Sequence, residues 1–349
     1  MSSKSSHNNC CVSVALCALM AISGYAAQAP GQARTAVEND RGSQQVEARV
    51  KTDQDIFDFH SGFWMNLHHF LYQQALAQKA GREGRPIRGA GEVVSVEALN
   101  EEEKRAWATA LEHYRKNWID RLPWLDNELA GINSRLAELE DQTTLKQPGL
   151  ADELIVALER AAPIYRAHWW KEHDRINRSW IAGVAPLIRK HGRILSEQLA
   201  TAYRTPWAKN SIRAEVSIYA CWPGAYTNLN PTLITISSVD AGYQGLAALE
   251  MIFHEASHAM IEAVQELIEK ECAAQGKKPG DLWHAVLFYT AGAIAKRALA
   301  NDGQKDYEPY AFKRGIFRNY WQLMEKHWQP YLDGKSDFAQ AIKQMVAGL

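Results

Sequence analysis

The stretch from Gly245 to about Ala274 constrains the fold most. It reads as one long helical run whose first half is apolar on nearly every side, and such a helix is buried in a core rather than laid on a surface. A chain that buries a helix on all sides must surround it with other elements, which takes length and apolar content. Both are present: 349 residues, 46% hydrophobic and 23% charged, the composition of a folded globular protein and not of a disordered, collagen-like or disulfide-scaffold chain. Lys and Arg total 39 against 40 Asp and Glu, a net charge of −1, so no basic excess points to nucleic acid or an anionic membrane. The 12 tryptophans, large rings with one N–H to satisfy, suggest a helix-rich core or an aromatic-lined cleft.

The pattern upstream is helical from about Asp53 to Thr205. An aromatic and leucine-rich helix is predicted from Phe57 to Gln78. A second starts at a cap on Asn100, runs through Glu101-Glu102-Glu103 and ends near Trp118, with acidic residues in the first turn where the helix dipole favours them. Ala80–Gly91, with its glycines and Pro86, is a loop. Further helices are predicted at about 124–141, 149–161, 164–192 and 194–204. The period then changes: Ile212–Cys221 and Thr232–Ser237 are β-branched and aromatic, separated by turn residues Trp222-Pro223-Gly224 and by Asn228, Asn230 and Pro231. After the buried run, Lys277–Gly280 breaks the chain, a helix follows from Asp281 to about Ala300, and the last 40 residues are helical around Pro309 and Pro330. The fold class is mainly α (α+β), with a small antiparallel sheet ahead of the buried helix. Residues 53–205 form an N-terminal helical region and 206–349 a second region packed with it.

The first 26 residues read as an export signal. A polar start carrying Lys4 leads into the apolar run Cys10–Ile22, and Ser23-Gly24-Tyr25-Ala26-Ala27 supplies the small residues for cleavage after Ala26. The apolar run is shorter than the ~20 residues that span a bilayer, which predicts a secreted or periplasmic protein with no membrane span in the mature chain. Residues 27–52 are a flexible lead-in. Of the five cysteines only Cys221 and Cys272 remain after the signal, and pairing between them is left open.

Within the buried run stands His254-Glu255-Ala256-Ser257-His258, of the form H-E-x-x-H. Residues four apart share a helix face, so both imidazoles can reach one metal ion while the glutamate points alongside. Phe253, Ile252, Ala256, Ala259 and Met260 surround the pair with apolar surface, where two unpartnered imidazoles are expensive to bury. The segment resembles the zinc-binding helix of the zincin metallopeptidases. The resemblance implies a helical zincin-like fold with His254 and His258 as zinc ligands. It also makes Glu255 the general base that takes a proton from zinc-bound water during attack on a peptide carbonyl. It further implies that Thr232-Leu233-Ile234-Thr235-Ile236 is the edge strand that pairs with an extended peptide, which makes Leu233, Ile234, Thr235 and Ile236 substrate contacts.

The third ligand is less direct. The Gly and His of the longer metzincin motif are missing, as Ala259, Met260 and Ile261 follow His258. In gluzincins a Glu on a following helix completes the site, but the helix from Asp281 contains no glutamate; it offers His284, with 25 residues between it and His258, and Asp281 itself. An upstream residue also stays open. By the same resemblance Tyr289 or Tyr310 donates to the oxyanion, and Glu250 and Glu262, one turn before and after the motif, are candidate acceptors for a ligand imidazole. The remaining histidine groups, His68-His69 and His168 with His173, read as core or cleft-lining residues. The second pair is five residues apart, which turns the rings about 140° from each other. Two further functions compete with a secreted peptidase: a non-catalytic zinc-stabilised binding protein of the cell envelope, and an amidase acting on a non-peptide substrate.

Overall fold

Parallel strands separated by a long stretch of helices organise the molecule. The computed structural model describes residues 56–349 other than 140, 143 and 146–148, so the expected signal peptide and lead-in lie outside the described residues. Strand β1 (Phe57–His60) is followed by α1 (Phe63–Glu83), α2 (Glu101–Asn117), α3 (Asn127–Leu139), α4 (Asp152–Tyr165) and α5 (Lys171–Tyr203). A π-helical turn at Arg166–Trp170 joins the last two. Strands β2 (Ile212–Ser217), β3 (Ala225–Asn228) and β4 (Leu233–Ser237) come next. Then follow α6 (Leu246–Ser257), α7 (Glu262–Gln275) and α8 (Leu282–Asn301), and the short helices α9 (Tyr310–Arg314), α10 (Trp321–Leu323) and α11 (Gln329–Leu332) lead to α12 (Phe338–Ala347). The protein is mainly helical with a small sheet, and the described residues belong to one compact unit. No described helix is long and apolar enough to cross a membrane.

The sheet is mixed, not antiparallel as the sequence suggested. Its order is β1-β2-β4-β3, with β1, β2 and β4 parallel and β3 antiparallel to β4. Parallel neighbours need long crossovers, here the α1–α5 stretch between β1 and β2. β4 is buried along its whole length and reads as the largely apolar run Leu233-Ile234-Thr235-Ile236-Ser237, whereas β2 alternates Ile212, Ala214 and Val216 with Arg213, Glu215 and Ser217. The strand expected at the edge is therefore internal: Leu233, Ile234, Thr235 and Ile236 pair with β2 on one side and β3 on the other. The outer strands are β1 and β3, the latter in the Trp222–Asn228 stretch that the sequence presents as a turn. Phe57–His60 is a strand and not the start of α1, because its backbone is taken by Ile212–Glu215.

Two apolar cores flank the sheet. One joins Phe57, Phe59, Ala214, Val216, Ile234 and Ile236 to α5, α6, α7, α8 and α12; the other joins Leu233 and Tyr219 to α1, α2, α3 and α4. Asn100 caps α2 as expected and forms a full capping box with Glu103, satisfying two otherwise orphaned backbone donors. Helix α5 runs unbroken through Gly192, where two helices were expected. That glycine marks close packing: a Cβ there would stand 2.7 Å from Ile56 Cδ1 and 3.7 Å from Phe253 Cζ. The long run from Gly245 is the reverse case, splitting into α6 and α7. Cys221 and Cys272 are both buried and both free.

Candidate metal centre

Helix α6 is held in the centre of the larger core, with Leu249, Ile252, Phe253 and Ala256 almost fully buried. It starts at Gly245, whose φ of 57° and ψ of −128° only glycine adopts without strain. Trp180 Nε1 on α5 donates to the Tyr243 carbonyl at 2.6 Å and fixes the approach to that start. At its other end the helix tightens, with His258, Ala259 and Met260 donating to the carbonyls of Glu255, Ala256 and Ser257, three residues back. The Ser257 hydroxyl turns back onto the Phe253 carbonyl at 2.7 Å, competition with the helical ladder that bends helices. The chain then reverses through α7, and α8 returns along α6 with His284 in its first turn.

This path brings together His254, His258 and His284. One nitrogen from each ring lies within 4.8 Å of the others. The three ring centroids are 5.2, 5.5 and 5.2 Å apart, so the rings surround one point. His254 is buried, the other two half-buried. Burial holds all three pKa values down, that of His258 to about 4; mutual repulsion within the group adds to the effect at His254 and His284. The imidazoles are therefore neutral near pH 7, the form that binds a metal. Buried nitrogens His254 Nδ1 and His284 Nε2 have no hydrogen-bond partner among the described residues. An unsatisfied buried polar atom costs about 1–3 kcal/mol. Three neutral nitrogen donors converging in this way could hold a metal ion. Asp281, the other third-ligand candidate, is not part of this cluster.

Aromatic rings pack around the triad. Phe288, one turn after His284, stacks on His254 with centroids 3.8 Å apart. Trp283 and Phe317 lie 4.7 and 5.3 Å from His284. Beside them Glu255 is almost fully buried. Its carboxyl is pushed up to about 7 by burial, partly opposed by a hydrogen bond from Thr227. That hydroxyl lies 2.7 Å from Glu255 Oε2 and 2.9 Å from the Glu255 carbonyl oxygen. Thr227 was missed in the sequence because Trp222-Pro223-Gly224 makes its surroundings read as turn; the signal available was the strand-favouring pair Tyr226-Thr227.

The other candidates sort differently. Tyr289 faces away from the triad: five residues after His284 it is turned about 140° around the helix. Its hydroxyl donates to Gln329 Oε1 at 2.9 Å, and its ring packs on Trp321. Tyr310 joins the aromatic wall through Phe288 and Tyr243, and its side chain is hydrogen-bonded to Tyr243. Glu250 holds no ligand imidazole. It accepts from the Tyr307 hydroxyl at 2.6 Å and from the Tyr310 backbone N–H, tying the chain after α8 to α6, and burial raises it to about 7. Glu262 is exposed at the start of α7. On α1, His68 Nδ1 is 2.7 Å from the Tyr114 hydroxyl, and His69 bonds the Met65 carbonyl and the Tyr226 hydroxyl. His173 bonds Tyr165 and His168 meets Glu103, so both groups are structural. No family model, curated protein or solved structure matches this chain.

Proposed function

We propose that this protein is a zinc-dependent hydrolase of the zincin type that cleaves peptide bonds, with His254, His258 and His284 holding the ion and Glu255 as general base. One observation carries the reading: three neutral, buried or half-buried imidazoles converge on one point, two of them with an orphaned buried nitrogen. Histidines kept for packing make their own hydrogen bonds, as His69 does on both nitrogens. A zinc ion there supplies a Lewis acid that polarises a carbonyl and makes water a better nucleophile. Three protein ligands are the pattern of a catalytic site, whereas structural zinc sites use four.

Glu255 then handles the proton. Burial raises the Glu255 carboxyl above the usual carboxylate range, which makes it a stronger base than an exposed one, the direction general-base catalysis favours. It accepts the proton of the attacking water on a carboxylate oxygen and passes it to the departing amine. Phe288, Trp283 and Phe317 shield the triad from bulk water, which strengthens electrostatic interactions within it. Of the two edge strands, β1 and β3, the one beside Glu255 is β3, which carries Thr227 and can extend the sheet with a substrate backbone. In this reading β3 takes the part first assigned to Leu233–Ile236.

The test is metal content by mass spectrometry on the purified protein, together with cleavage of a mixed peptide library. One zinc per chain and chelator-sensitive cleavage are expected. Glu255→Gln should keep the zinc and lose at least about 100-fold in rate, the usual contribution of a general base. Stoichiometric zinc without chelator-sensitive cleavage would instead indicate a zinc-stabilised binding protein, and wild-type rates in Glu255→Gln would remove Glu255 from the mechanism.

A further inference from the structure

Strand β3 has two differently occupied sides. Tyr226 and Asn228 are tied towards the N-terminal helices: His69 Nε2 and Asn133 Nδ2 both bond the Tyr226 hydroxyl, Asn133 also reaches Asn228 Oδ1, and Asn228 Nδ2 donates to the Pro123 carbonyl. Side chains alternate along a strand, so Thr227 between them points the other way, at α6. Its pairing with Ile234 fixes its height along the sheet, and its β-branched side chain is stiff at χ1. The hydroxyl is thereby brought to two acceptors on one residue, Glu255 Oε2 at 2.7 Å and the Glu255 carbonyl oxygen at 2.9 Å. That carbonyl lies in the last turn of α6, where helical carbonyls lose their regular partners; here it receives the tightened bond from His258 N at 3.2 Å.

A hydroxyl has one proton to donate and two lone pairs to accept with, so it serves these two acceptors one at a time. Resting on the assignment of Glu255 as general base, we propose that Thr227 is the positioning residue of Glu255, holding the carboxyl in one orientation through its hydrogen bond to Oε2. In the charged form the Thr227 O–H donates to Oε2. The other carboxylate oxygen, Oε1, is left to take the proton of the attacking water while the Thr227 O–H stays on Oε2. Thr227 keeps its own proton throughout. The proton on Glu255 leaves with the departing amine, and the first arrangement returns.

Three variants of the full-length, zinc-loaded protein test this: Thr227→Val, which keeps the shape and removes the hydroxyl, Thr227→Ser, which restores it, and Thr227→Ala as a second deletion should the valine misfold. Thr227→Val is expected to lower kcat about 10- to 100-fold, the scale of a misplaced catalytic group, with KM and zinc content unchanged, and Thr227→Ser to recover most of the loss. A second readout needs no substrate. The infrared difference between wild type and Glu255→Gln at fixed pH assigns the Glu255 carboxyl stretch; that band should shift in Thr227→Val and return in Thr227→Ser. A band at the wild-type frequency in Thr227→Val overturns the proposal, as does a kcat loss that serine fails to rescue, which marks Thr227 as packing only. If Glu255→Gln cleaves at the wild-type rate while the band still shifts with Thr227, the general-base reading has failed and the contact itself stands.

Discussion

His68 and His69 on α1 and His254, His258 and His284 on α6 and α8 are two groups of close-set histidines in two cores, and they differ in what their nitrogens face. His68, His69 and His254 are each at most 3% exposed, and burial depresses the pKa in both groups. On α1 the cost of burial is met internally. His69 Nδ1 must donate, because its partner is the Met65 carbonyl; in the neutral ring Nε2 then accepts from the Tyr226 hydroxyl, and Asn133 donates to that oxygen. In the triad the rings face one another, and His254 and His284 each keep a buried nitrogen without a partner among the described residues. Burial and a lowered pKa therefore do not mark a functional histidine. What sets the triad apart is three rings converging on one point together with unmet hydrogen-bonding capacity at two of them.

The largest expected effect separates the groups by metal. Zinc at about 1,000 times its dissociation constant stabilises a fold that binds it by about 4 kcal/mol. Thermal melts followed by circular dichroism should show that gain in wild type and in His69→Gln, and not in His284→Ala. A zinc-induced shift that survives His284→Ala, or vanishes in His69→Gln, would break the distinction.

The next effect is on pH dependence and belongs to α1. His69 is pushed from the usual 6.5 down to about 4 by burial, although its bond to Met65 acts the other way. Between these values the unfolded chain binds the proton and the folded chain does not, so stability falls as pH drops through that window. The size is about 2–3 kcal/mol by pH 4.5. Glu250 and Glu255, raised to about 7, carry the opposite sign: their contribution is present in acid and lost as pH rises towards 7. The His69 share is therefore read as a difference, comparing urea denaturation of wild type and His69→Gln at pH 7 and 4.5. It should be the same with and without zinc, because His69 takes no part in the triad.

These two groups were not equally legible in the sequence. The spacing of His254 and His258 is a local property of an α-helix, and His284 could be named because it opens the next helix. Nothing local told His69 from a cleft residue, since its partners Tyr226 and Asn133 come from β3 and α3. The same limit hid the order of the sheet. Which strand lies outermost depends on where a chain 150 residues further on pairs, and β3 is only four residues long. Phe57–His60 carries two phenylalanines that suit helix or strand equally, and pairing with β2 decided it. The break after Ser257 escaped notice because Ala256, Ala259, Met260 and Ile261 are all compatible with a continuing helix. Tyr289 was misjudged by one position: Phe288 takes the face that looks at His254.

The smallest effect compares the loss of one partner in each group, with chelator present throughout. Tyr226→Phe strips His69 Nε2 and Asn133 of their shared oxygen, leaving buried polar atoms unsatisfied at a cost of about 1–3 kcal/mol. His284→Leu does the reverse, removing a buried nitrogen that has no partner among the described residues. What it loses is ring contact with Trp283, Phe288, Phe317 and the other two imidazoles, of which leucine keeps part as apolar packing, so that the net loss is about 0.5–1.5 kcal/mol. Relief of the orphaned nitrogen offsets a loss of that size, so the variant should unfold in urea within about 1 kcal/mol of wild type, and its deficit should appear only when zinc is added. If His284→Leu in chelator costs as much as Tyr226→Phe, the His284 ring is held by the fold for its packing, and the contrast between the groups falls back on metal affinity alone.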